Sequence, residues 1–450
     1  MTDRGPQHPR GALTWSGRRL HLVGIGGAGM SGYALVSAAL GAEVSGSDRA
    51  ASPVLARLRA AGIDARAGHD AANVPDGAEV VLSSAIAADN PERVAALERG
   101  LPVHSRADLL AELTALRKVI AVAGAHGKTT TSSMAAHILL GCGLDPGYLI
   151  GGTLSTTGSN AAWGTGEWLV VEADESDRSM LRLHVDVGVL TNVELDHHAA
   201  YASLDEPCEA YRAFLAGAPE AAIWDRPELL ALRDGPAVPY DARAVELHDG
   251  GSRFTWRGHE VRLRVPGLHN AVNAAGALEA AALAGADPAA AAGALADFRG
   301  AGRRFERLGT TPSGALVIDD YAHHPTEVAA TIDAARTLDA AERVWAVFQP
   351  HLFSRTAFLA RDFGAALARA DAVAVLDVYP ARERAADFPG VTGRLLAETA
   401  ADAAGGRPVY WLPSFADAQR VLAPRVRRGD VVLVLGAGDV DRLGRALVEG

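Results

Sequence analysis

The sequence predicts an α/β fold with parallel, doubly wound sheets divided among about three domains. Three apolar strands each run into a glycine-rich turn, at 21–30, 119–131 and 431–440. Ala-rich helical segments, such as those at 273–283 and 288–298, alternate with further apolar strands. This alternation is typical of βα units packed on parallel sheets, and 450 residues exceed one ordinary hydrophobic core.

Two segments mark the predicted domain boundaries. A helix and short linker at 109–118 follow the first βα units, and a Gly/Arg-rich break occurs at 298–309. We therefore expect domains at 1–112, 113–301 and 302–450.

Composition and charge limit the classes of partner. The chain is 49% hydrophobic and 22% charged, typical of a globular protein, and its formal net charge is −11. A nucleic acid or an anionic membrane would favour a basic face, so neither is predicted as a partner. Only Cys142 and Cys208 are present, which predicts no disulfide framework and fits a reducing, cytoplasmic location.

The N-terminal region carries no predicted targeting or membrane segment. The first 19 residues are polar and contain both charge signs, unlike a secretory signal. The uncharged run at 22–42 is about long enough to cross a bilayer, but it contains six glycines. We therefore predict a strand, a turn and a helix for this run.

The strongest local motif is the turn from Gly124 to Thr130, GAHGKTT, which follows a strand and begins a helix. In this context successive backbone N–H groups and the helix N-terminus bind phosphate oxygens. Lys128 would supply a cation for the terminal phosphates, and the Thr129 hydroxyl would bind Mg²⁺. Val122 stands where the general pattern has its first glycine. The motif still predicts a P-loop, because packing alone does not require GKTT at this junction.

A carboxylate near the metal ion is expected at the end of a neighbouring strand. Glu172 ends the apolar run WLVVE and is the candidate, while the following residues 174–177 are interpreted as a solvated acidic loop. His197 follows another apolar strand. From this pattern, a second metal ligand and a hydrogen-bonded loop histidine are equally good interpretations.

The turn from Gly24 to Gly29, GIGGAG, matches the dinucleotide fingerprint, and Asp48 follows at a second strand end. By itself this pattern would indicate NAD. The same geometry binds any diphosphate at a helix N-terminus, so a nucleotide diphosphate is the better prediction for a chain that also has a P-loop.

Three further groups of polar residues have both a functional and a structural interpretation. Asn270 and Asn273 share one helical face and could contact an adenine edge, or Asn270 could cap a helix. Arg303 and Arg304 could stabilise a developing phosphate charge or form a solvated basic pair. The segment at 319–326, DDYAHHPT, could bind a ribose, phosphate or metal, or could form a buried capping network.

Taken in order, these motifs resemble the Mur ligase family over nearly the whole chain, from about His21 to the C-terminal GAGD. The GIGGAGMSG motif favours the member that adds L-alanine to UDP-N-acetylmuramate. Ala125 stands where the family usually has threonine, and a cradle of backbone groups should tolerate that change. The motifs that carry the resemblance are GIGGAGMSG, SSAI, HSRADLL, GAHGKTTT, EADESD, TNVELDHH, HNAVNA, GRRFE, DDYAHHPTE, FQPH and DVYPARE.

The resemblance implies a Rossmann-like N-terminal domain for UDP, a P-loop ATPase-like central domain, and a Rossmann-like C-terminal domain that closes over the site. Residues implied for ATP are Gly124, Ala125, His126, Gly127, Lys128, Thr129, Thr130, Asn270, Asn273, Arg304 and Asp320. Those implied for magnesium are Thr129, Glu172 and His197. Lys128, Glu172, His197, Arg304 and Asp320 form the implied catalytic set.

The resemblance also implies a substrate-binding set. Ala28, Gly29 and Met30 would line the diphosphate, with Asp48 on the uridine side. The remaining positions are Ser84, Arg106 and, in motifs facing the amino-acid end, His324, His351, Arg355, Tyr379 and Arg382.

The activity implied is an ATP- and Mg²⁺-dependent ligation in peptidoglycan precursor synthesis. The ATP γ-phosphoryl group would pass to the UDP-N-acetylmuramate carboxylate, giving an acyl phosphate that the alanine amine attacks. The expected partners are these substrates, with no nucleic acid or membrane, and the chain would act as a monomer or homodimer.

Three alternatives stay open on the sequence. Another ligase of the same family would join a tripeptide to UDP-N-acetylmuramate or a glutamate to a folate. An NAD-dependent oxidoreductase would use the GIGGAG turn and Asp48. A nucleotide-driven binding module would bind ATP without substrate-dependent release of ADP.

Overall fold

Three mainly parallel sheets follow one another along the chain, which confirms the predicted three-domain α/β fold. The computed structural model describes residues 15–196, 201 and 203–450. Within this part of the chain, none of the helices has the length and apolar character that crossing a bilayer requires.

The first sheet is entirely parallel, with strand order β3-β2-β1-β4-β5. Its first strand has the sequence RLHLV and is buried from its second residue onward, as expected for a strand covered on both faces. The strands are β1 Arg19–Val23, β2 Glu43–Asp48, β3 Asp64–Ala67, β4 Glu79–Leu82 and β5 Val103–Ser105. The helices are α1 Ala28–Ala39, α2 Pro53–Ala60, α3 Pro91–Glu98 and α4 Arg106–Ala115, with a 3-10 turn at Ala71–Asn73.

A buried carboxylate organises the interior of this first unit. Glu92 has no solvent exposure, and it accepts hydrogen bonds from the Ser47 hydroxyl, the Asn73 amide and the Asp70 backbone. Burial alone would raise the pKa of Glu92, but hydrogen bonds from His21, Asn73 and Ser47 outweigh it and lower the pKa to about 2. The ionised carboxylate therefore stabilises this domain at neutral pH.

The second sheet has strand order β12-β11-β10-β6-β9-β7-β8, and only its edge strand β8 is antiparallel. Its strands are β6 Lys118–Ala123, β7 Gly147–Leu154, β8 Ser159–Ala162, β9 Trp168–Glu172, β10 Val187–Leu190, β11 Glu220–Trp224 and β12 Val238–Tyr240. Its helices are α5 Lys128–Gly141, α6 Asp205–Gly217, α7 Pro227–Leu230, α8 Leu268–Leu283 and α9 Pro288–Ala294, with 3-10 turns at Ser179–Arg182 and Leu295–Asp297.

A separate antiparallel sheet lies between α7 and α8 and was not predicted. It consists of β13 Glu246–His248, β14 Gly251–Trp256 and β15 His259–Leu263. Side chains of β14 alternate between buried and exposed toward its end, which is the pattern of an antiparallel strand with one solvated face. The prediction of parallel sheets alone was therefore incomplete.

The third sheet has strand order β16-β17-β21-β18-β19-β20, with β16 antiparallel at its edge. Its strands are β16 Glu306–Thr310, β17 Leu316–Asp320, β18 Arg343–Phe348, β19 Ala372–Val375, β20 Val409–Trp411 and β21 Asp430–Leu435. Its helices are α10 Pro325–Ala335, α11 Phe353–Phe358, α12 Ala360–Leu367, α13 Gly393–Ala403, α14 Phe415–Leu422 and α15 Asp441–Glu449, with a 3-10 turn at Ala385–Asp387. The carboxyl ends of β17 and β18 lead into the segments that approach the central unit.

Candidate functional site

The GAHGKTT turn connects β6 to α5, as predicted, and its glycines are required by space. Gly124 has a φ of +134°, and a Cβ there would lie 2.1 Å from the Thr191 Oγ1. Gly127 precedes the first residue of α5, and a Cβ there would lie 2.5 Å from the Asn273 Oδ1. No larger residue fits at either position without displacing a neighbour. The turn therefore keeps its backbone open toward the space above α5.

Lys128 is held at the base of this turn by acceptors of its own domain. Its Nζ donates to the Gly124 carbonyl at 2.6 Å and lies 2.9 Å from the Glu175 Oε2. Burial would lower the pKa of Lys128, but the carboxylates of Glu175 and Asp174 outweigh it and leave the pKa raised. The lysine is therefore a cation at neutral pH.

Glu172 ends β9 directly opposite Thr129. Its carboxylate accepts a hydrogen bond from the Thr129 hydroxyl at 3.1 Å and another from the Gly151 backbone. Burial raises the pKa of Glu172 above its usual range. A hydroxyl and a carboxylate side by side form an oxygen donor set that fits Mg²⁺. His197, the other expected metal ligand, lies outside the described residues.

Two cavities meet at the P-loop. The larger, of about 890 Å³, has walls from all three sheet units, including Arg106, Glu172 and His351. The smaller, of about 680 Å³, lies between the central and C-terminal units. Gly127 and Arg304 line both cavities, so a molecule bound across the P-loop would extend from one into the other.

The smaller cavity contains the two asparagines of α8. Asn270 donates its Nδ2 to the Pro266 carbonyl at 2.7 Å. Gly267 occupies the N-cap position of α8, so Asn270 does not cap the helix as the structural interpretation proposed. Asn273 lies on the same face, next to Gly127, and both asparagines line the cavity. Their polar groups are available at its wall.

Arg303 and Arg304 do not act as a pair. Arg303 binds Asp319 at 3.1 Å and the carbonyls of Gly436 and Gly438, so it is committed to the C-terminal unit. Arg304 instead approaches the central unit, where its Nη2 is 3.3 Å from the Thr129 Oγ1. The solvated-pair interpretation is therefore wrong for both residues.

Asp320 combines the two interpretations given to its motif. It ends β17, lines the smaller cavity and is 8% exposed. Its carboxylate accepts hydrogen bonds from the backbone of Phe305 and Ala322, each at 2.8 Å, so a buried capping network is present. Burial raises the pKa of Asp320 to about 6, even though Arg304 acts in the opposite direction.

The GIGGAG turn of the N-terminal unit opens onto the larger cavity through Ala28 and Gly29. Met30 is 3% exposed and its side chain packs in the core, so only its backbone could contact a ligand. Asp48 accepts a hydrogen bond from the Gly26 backbone at 2.9 Å. In this arrangement the Asp48 carboxylate supports the turn itself.

Arg106 connects the N-terminal and central units across the larger cavity. It binds Asp174 at 2.7 Å and Asp177 at 2.9 Å. Burial would lower the pKa of Arg106, but the Asp174 carboxylate outweighs it. Ser84, the other tentative substrate residue of this unit, is exposed.

The C-terminal unit contributes a cluster around His351 to the larger cavity. The His351 ring stacks on Tyr379 with centroids 5.7 Å apart, and Arg355 and Arg382 also line the cavity. Arg355 forms a bidentate ion pair with Asp196 of the central unit, and each side chain is only 4% exposed. This ion pair connects the C-terminal unit to the central one.

The adjacent histidines His323 and His324 point to different places. His323 lines the larger cavity, with its ring centroid 6.3 Å from that of His351. His324, which the sequence had placed at the amino-acid end, contacts Glu194 and His126 instead.

Several residues at these contacts were missed from the sequence. Glu175 was interpreted as part of a solvated loop, but it is 3% exposed and binds Lys128. Asn160, on β8, donates to the Ala28 carbonyl at 2.7 Å and so attaches the central unit to the first turn of α1. Glu175 and Glu194 belong to motifs that had been singled out for Glu172 and His197. Nothing in the local sequence indicates the role of Asn160.

The fold and this arrangement define a three-domain P-loop α/β protein whose cavities lie between its domains. Family models match almost the whole chain in the same order. They are described as "Mur ligase family, catalytic domain" at 19–118, "Mur ligase middle domain" at 122–281 and "Mur ligase, glutamate ligase domain" at 303–438. The chain belongs to the Mur ligase family.

Individual relatives extend over nearly the full length. The UDP-N-acetylmuramate–L-alanine ligase of Rubrobacter xylanophilus is 44% identical over 96% of this chain and 99% of its own. The enzyme of the same name from Kineococcus radiotolerans is 46% identical over 95% and 94% of the two chains. Among solved structures, the UDP-N-acetylmuramate-alanine ligase MurC of Thermotoga maritima superposes with a TM-score of 0.82 at 29% identity, covering 96% of this chain and 98% of its own. A murein peptide ligase from Psychrobacter arcticus gives 0.71 at 25% identity, with coverage of 96% and 98%.

Proposed function

We propose that this protein joins L-alanine to the carboxylate of UDP-N-acetylmuramate at the expense of ATP, in peptidoglycan precursor synthesis. The names of relatives more than 40% identical over nearly the whole chain support this substrate pair. ATP and Mg²⁺ as cofactors and a cytoplasmic location belong to the same proposal.

The meeting of two cavities at the P-loop is the observation that carries the proposal. A ligase of this kind must bring a nucleotide and a carboxylate substrate together at the γ-phosphoryl group. The smaller cavity, with Asn270 and Asn273, has the polar wall that an adenine requires. The larger cavity, with Arg106 and the open face of Gly29, has room for the UDP-linked substrate and the amino acid. Lys128 and Thr129 lie between them.

The division of labour follows the order of the three units. Residues 1–112 would bind the UDP-linked substrate, and 113–301 would bind ATP through the 124–130 turn. Residues 302–450 would close over both, with Arg304 and Asp320 reaching the nucleotide. The Arg355–Asp196 ion pair, which joins the last two units, supports a closing role for the C-terminal unit.

Lys128 would exchange partners when ATP binds. Its ammonium is now bound to Glu175, and a γ-phosphate in the cradle would offer a competing anion of higher charge. Thr129 and Glu172, with His197, would hold Mg²⁺, which supplies charge neutralisation between the two reacting anions. Arg304, which already contacts Thr129, would stabilise charge on the transferring phosphoryl group from the opposite domain.

The chemistry then needs two displacements. An oxygen of the UDP-N-acetylmuramate carboxylate attacks the γ-phosphorus, the bond to the β,γ-bridging oxygen breaks, and ADP leaves. The neutral alanine amine attacks the acyl carbon, and phosphate departs with the carboxylate oxygen as the amide forms. His351, Arg355, Tyr379 and Arg382 are proposed to position the amino-acid end, with His323 beside them. Closure of the cavity would protect the acyl phosphate from water.

Release of ADP, measured with UDP-N-acetylmuramate in the presence and absence of L-alanine, tests the proposal. We expect sustained release only with both substrates present. A panel of amines including glycine, L-serine and a tripeptide separates an alanine-adding enzyme from a peptide-adding one. Folate with glutamate tests the remaining ligase alternative.

Stabilisation by NAD but not by UDP-sugars would favour the oxidoreductase alternative. ATP binding without any substrate-dependent release of ADP would favour a binding module. Either result would contradict the proposed ligase.

A further inference from the structure

Two imidazoles and a carboxylate converge beside the P-loop, at the boundary between the central and C-terminal units. The His126 Nε2 lies 3.3 Å from the Glu194 Oε2, and the His324 Nδ1 lies 3.4 Å from the same oxygen. One ligand atom from each residue falls within 4.8 Å of the others. These three side chains are called the His126 cluster below.

The His126 cluster is assembled from three separate segments. His126 lies in the turn between β6 and α5, and Glu194 follows β10. His324 stands immediately before α10, in the C-terminal unit. His126 is 7% and His324 is 5% exposed, whereas the Glu194 side chain is 34% exposed. Two ligands are therefore fixed by burial, and the third faces a path from solvent.

The donor set and its spacing suit a transition metal. Two imidazole nitrogens and one carboxylate oxygen are typical ligands of Zn²⁺, whereas Mg²⁺ prefers oxygen ligands. A tetrahedral centre with bonds of about 2.0–2.2 Å holds its ligand atoms roughly 3.3–3.5 Å apart. Both distances to the Glu194 oxygen fall in that range. Three protein ligands leave one position for water or another donor.

The groups around the cluster supply an independent indication. The second nitrogen of His126, Nδ1, is buried and makes no hydrogen bond, although the Glu327 Oε1 lies 3.4 Å away. A metal-binding histidine commonly directs its other nitrogen to a carboxylate, which fixes the tautomer. The Thr326 hydroxyl donates to the Glu194 Oε2 at 2.7 Å, so the carboxylate ligand is also oriented.

We propose that His126, Glu194 and His324 form an interdomain binding site for a divalent transition metal ion such as Zn²⁺. This site is distinct from the Mg²⁺ ligands proposed at Thr129 and Glu172. Because its ligands come from two domains, a bound ion would hold those domains in their present arrangement. Opening of the cavities for product release would then be slowed. The ion would act as an inhibitor or regulator, with no part in the chemistry of ligation.

Direct metal binding tests the site in the full-length protein with excess Mg²⁺ present, so that hard-ligand sites are occupied. Co²⁺ serves as the spectroscopic probe, and Zn²⁺ is titrated by calorimetry. We expect one equivalent of Co²⁺ to give the visible absorption of a tetrahedral or five-coordinate centre, which Zn²⁺ then removes. His324→Ala and Glu194→Gln should each weaken Zn²⁺ binding at least about 10-fold, since each deletes a ligand.

His323→Ala is the matched control, because it removes the adjacent buried imidazole without touching the cluster. Zn²⁺ affinity should be unchanged in that variant. Circular dichroism establishes that each variant is folded, and Glu194→Gln remains informative if His324→Ala is not. Absence of stoichiometric binding in the parent protein would overturn the proposal, as would binding that survives both ligand substitutions. The cluster would then be an ion-pair contact between domains. Neither result depends on ligase activity.

Discussion

Replacing Lys128 by alanine separates the catalytic role of the P-loop lysine from its structural one. In the structure its ammonium contacts both oxygens of Glu175, at 2.9 and 3.1 Å, and the Gly124 carbonyl at 2.6 Å. The Glu175 carboxylate is 3% exposed. Lys128→Ala therefore removes the proposed γ-phosphate contact and also takes a cation away from a buried anion.

The two effects have different expected sizes. Loss of one charge-stabilising group at a transferring centre lowers the rate by roughly 10²–10³, or about 2.7–4 kcal/mol. Removing one member of a buried ion pair costs about 3–5 kcal/mol of folding free energy. Lys128→Ala should thus be both inactive and less stable, and inactivity alone would not establish catalysis. Glu175→Gln removes the anion, so the double variant should regain most of the lost stability.

Thermal unfolding and ADP release, measured on the same preparations, distinguish the contributions. We expect Lys128→Ala to melt well below the parent, and Lys128→Ala/Glu175→Gln to melt close to it. Turnover should stay at least about 100-fold below the parent in both variants. If the double variant recovered turnover to within a few-fold, Lys128 would serve only to neutralise Glu175. The reasoning about the γ-phosphate would then be wrong.

Three other predictions use independent contacts. Glu172→Gln and His197→Ala should each raise the Mg²⁺ concentration for half-maximal turnover; titration curves like that of the parent would make both residues structural. Asn160→Ala removes the hydrogen bond to the Ala28 carbonyl, worth about 1 kcal/mol. It should raise the KM for UDP-N-acetylmuramate roughly 5-fold while leaving that for ATP unchanged; equal changes in both would argue against local positioning. The pKa of Glu92 is lowered from 4.5 to about 2, so its ionised form contributes about 3 kcal/mol above pH 4.5. That contribution is lost as the pH falls toward 2. Urea unfolding should show Glu92→Gln destabilised at pH 7, with a difference from the parent that shrinks below pH 4.5; a constant difference would contradict the linkage.

The elements around the P-loop could be predicted because their signals are local. An apolar strand, a glycine-rich turn and a helix follow one another within 118–141, so a short window contains the whole unit. The same applies to the GIGGAG turn and to the strand that ends at Glu172. The sheet formed by β13, β14 and β15 was missed because its strands are short and one face is solvated. Its sequence therefore lacks the continuous apolar run that identified the other strands.

Contacts between domains could not be predicted in the same way. Asn160 and Ala28 are 132 residues apart, and Arg355 and Asp196 are 159 apart. Neither pair has a periodicity or a motif that connects its members, because each contact depends on how whole domains pack. The exchange of His323 for His324 at the larger cavity has a related cause. Adjacent residues at the start of a helix point in different directions, and the sequence does not fix which one faces the cavity.

The route of a single oxygen atom tests the acyl-phosphate mechanism most directly. UDP-N-acetylmuramate labelled with ¹⁸O in its carboxylate is incubated with ATP, Mg²⁺ and L-alanine, and the released phosphate is analysed by mass spectrometry. If the carboxylate attacks the γ-phosphorus beside Lys128, one heavy oxygen should appear in inorganic phosphate for each turnover. Unlabelled phosphate, or label in AMP with release of pyrophosphate, would contradict the mechanism.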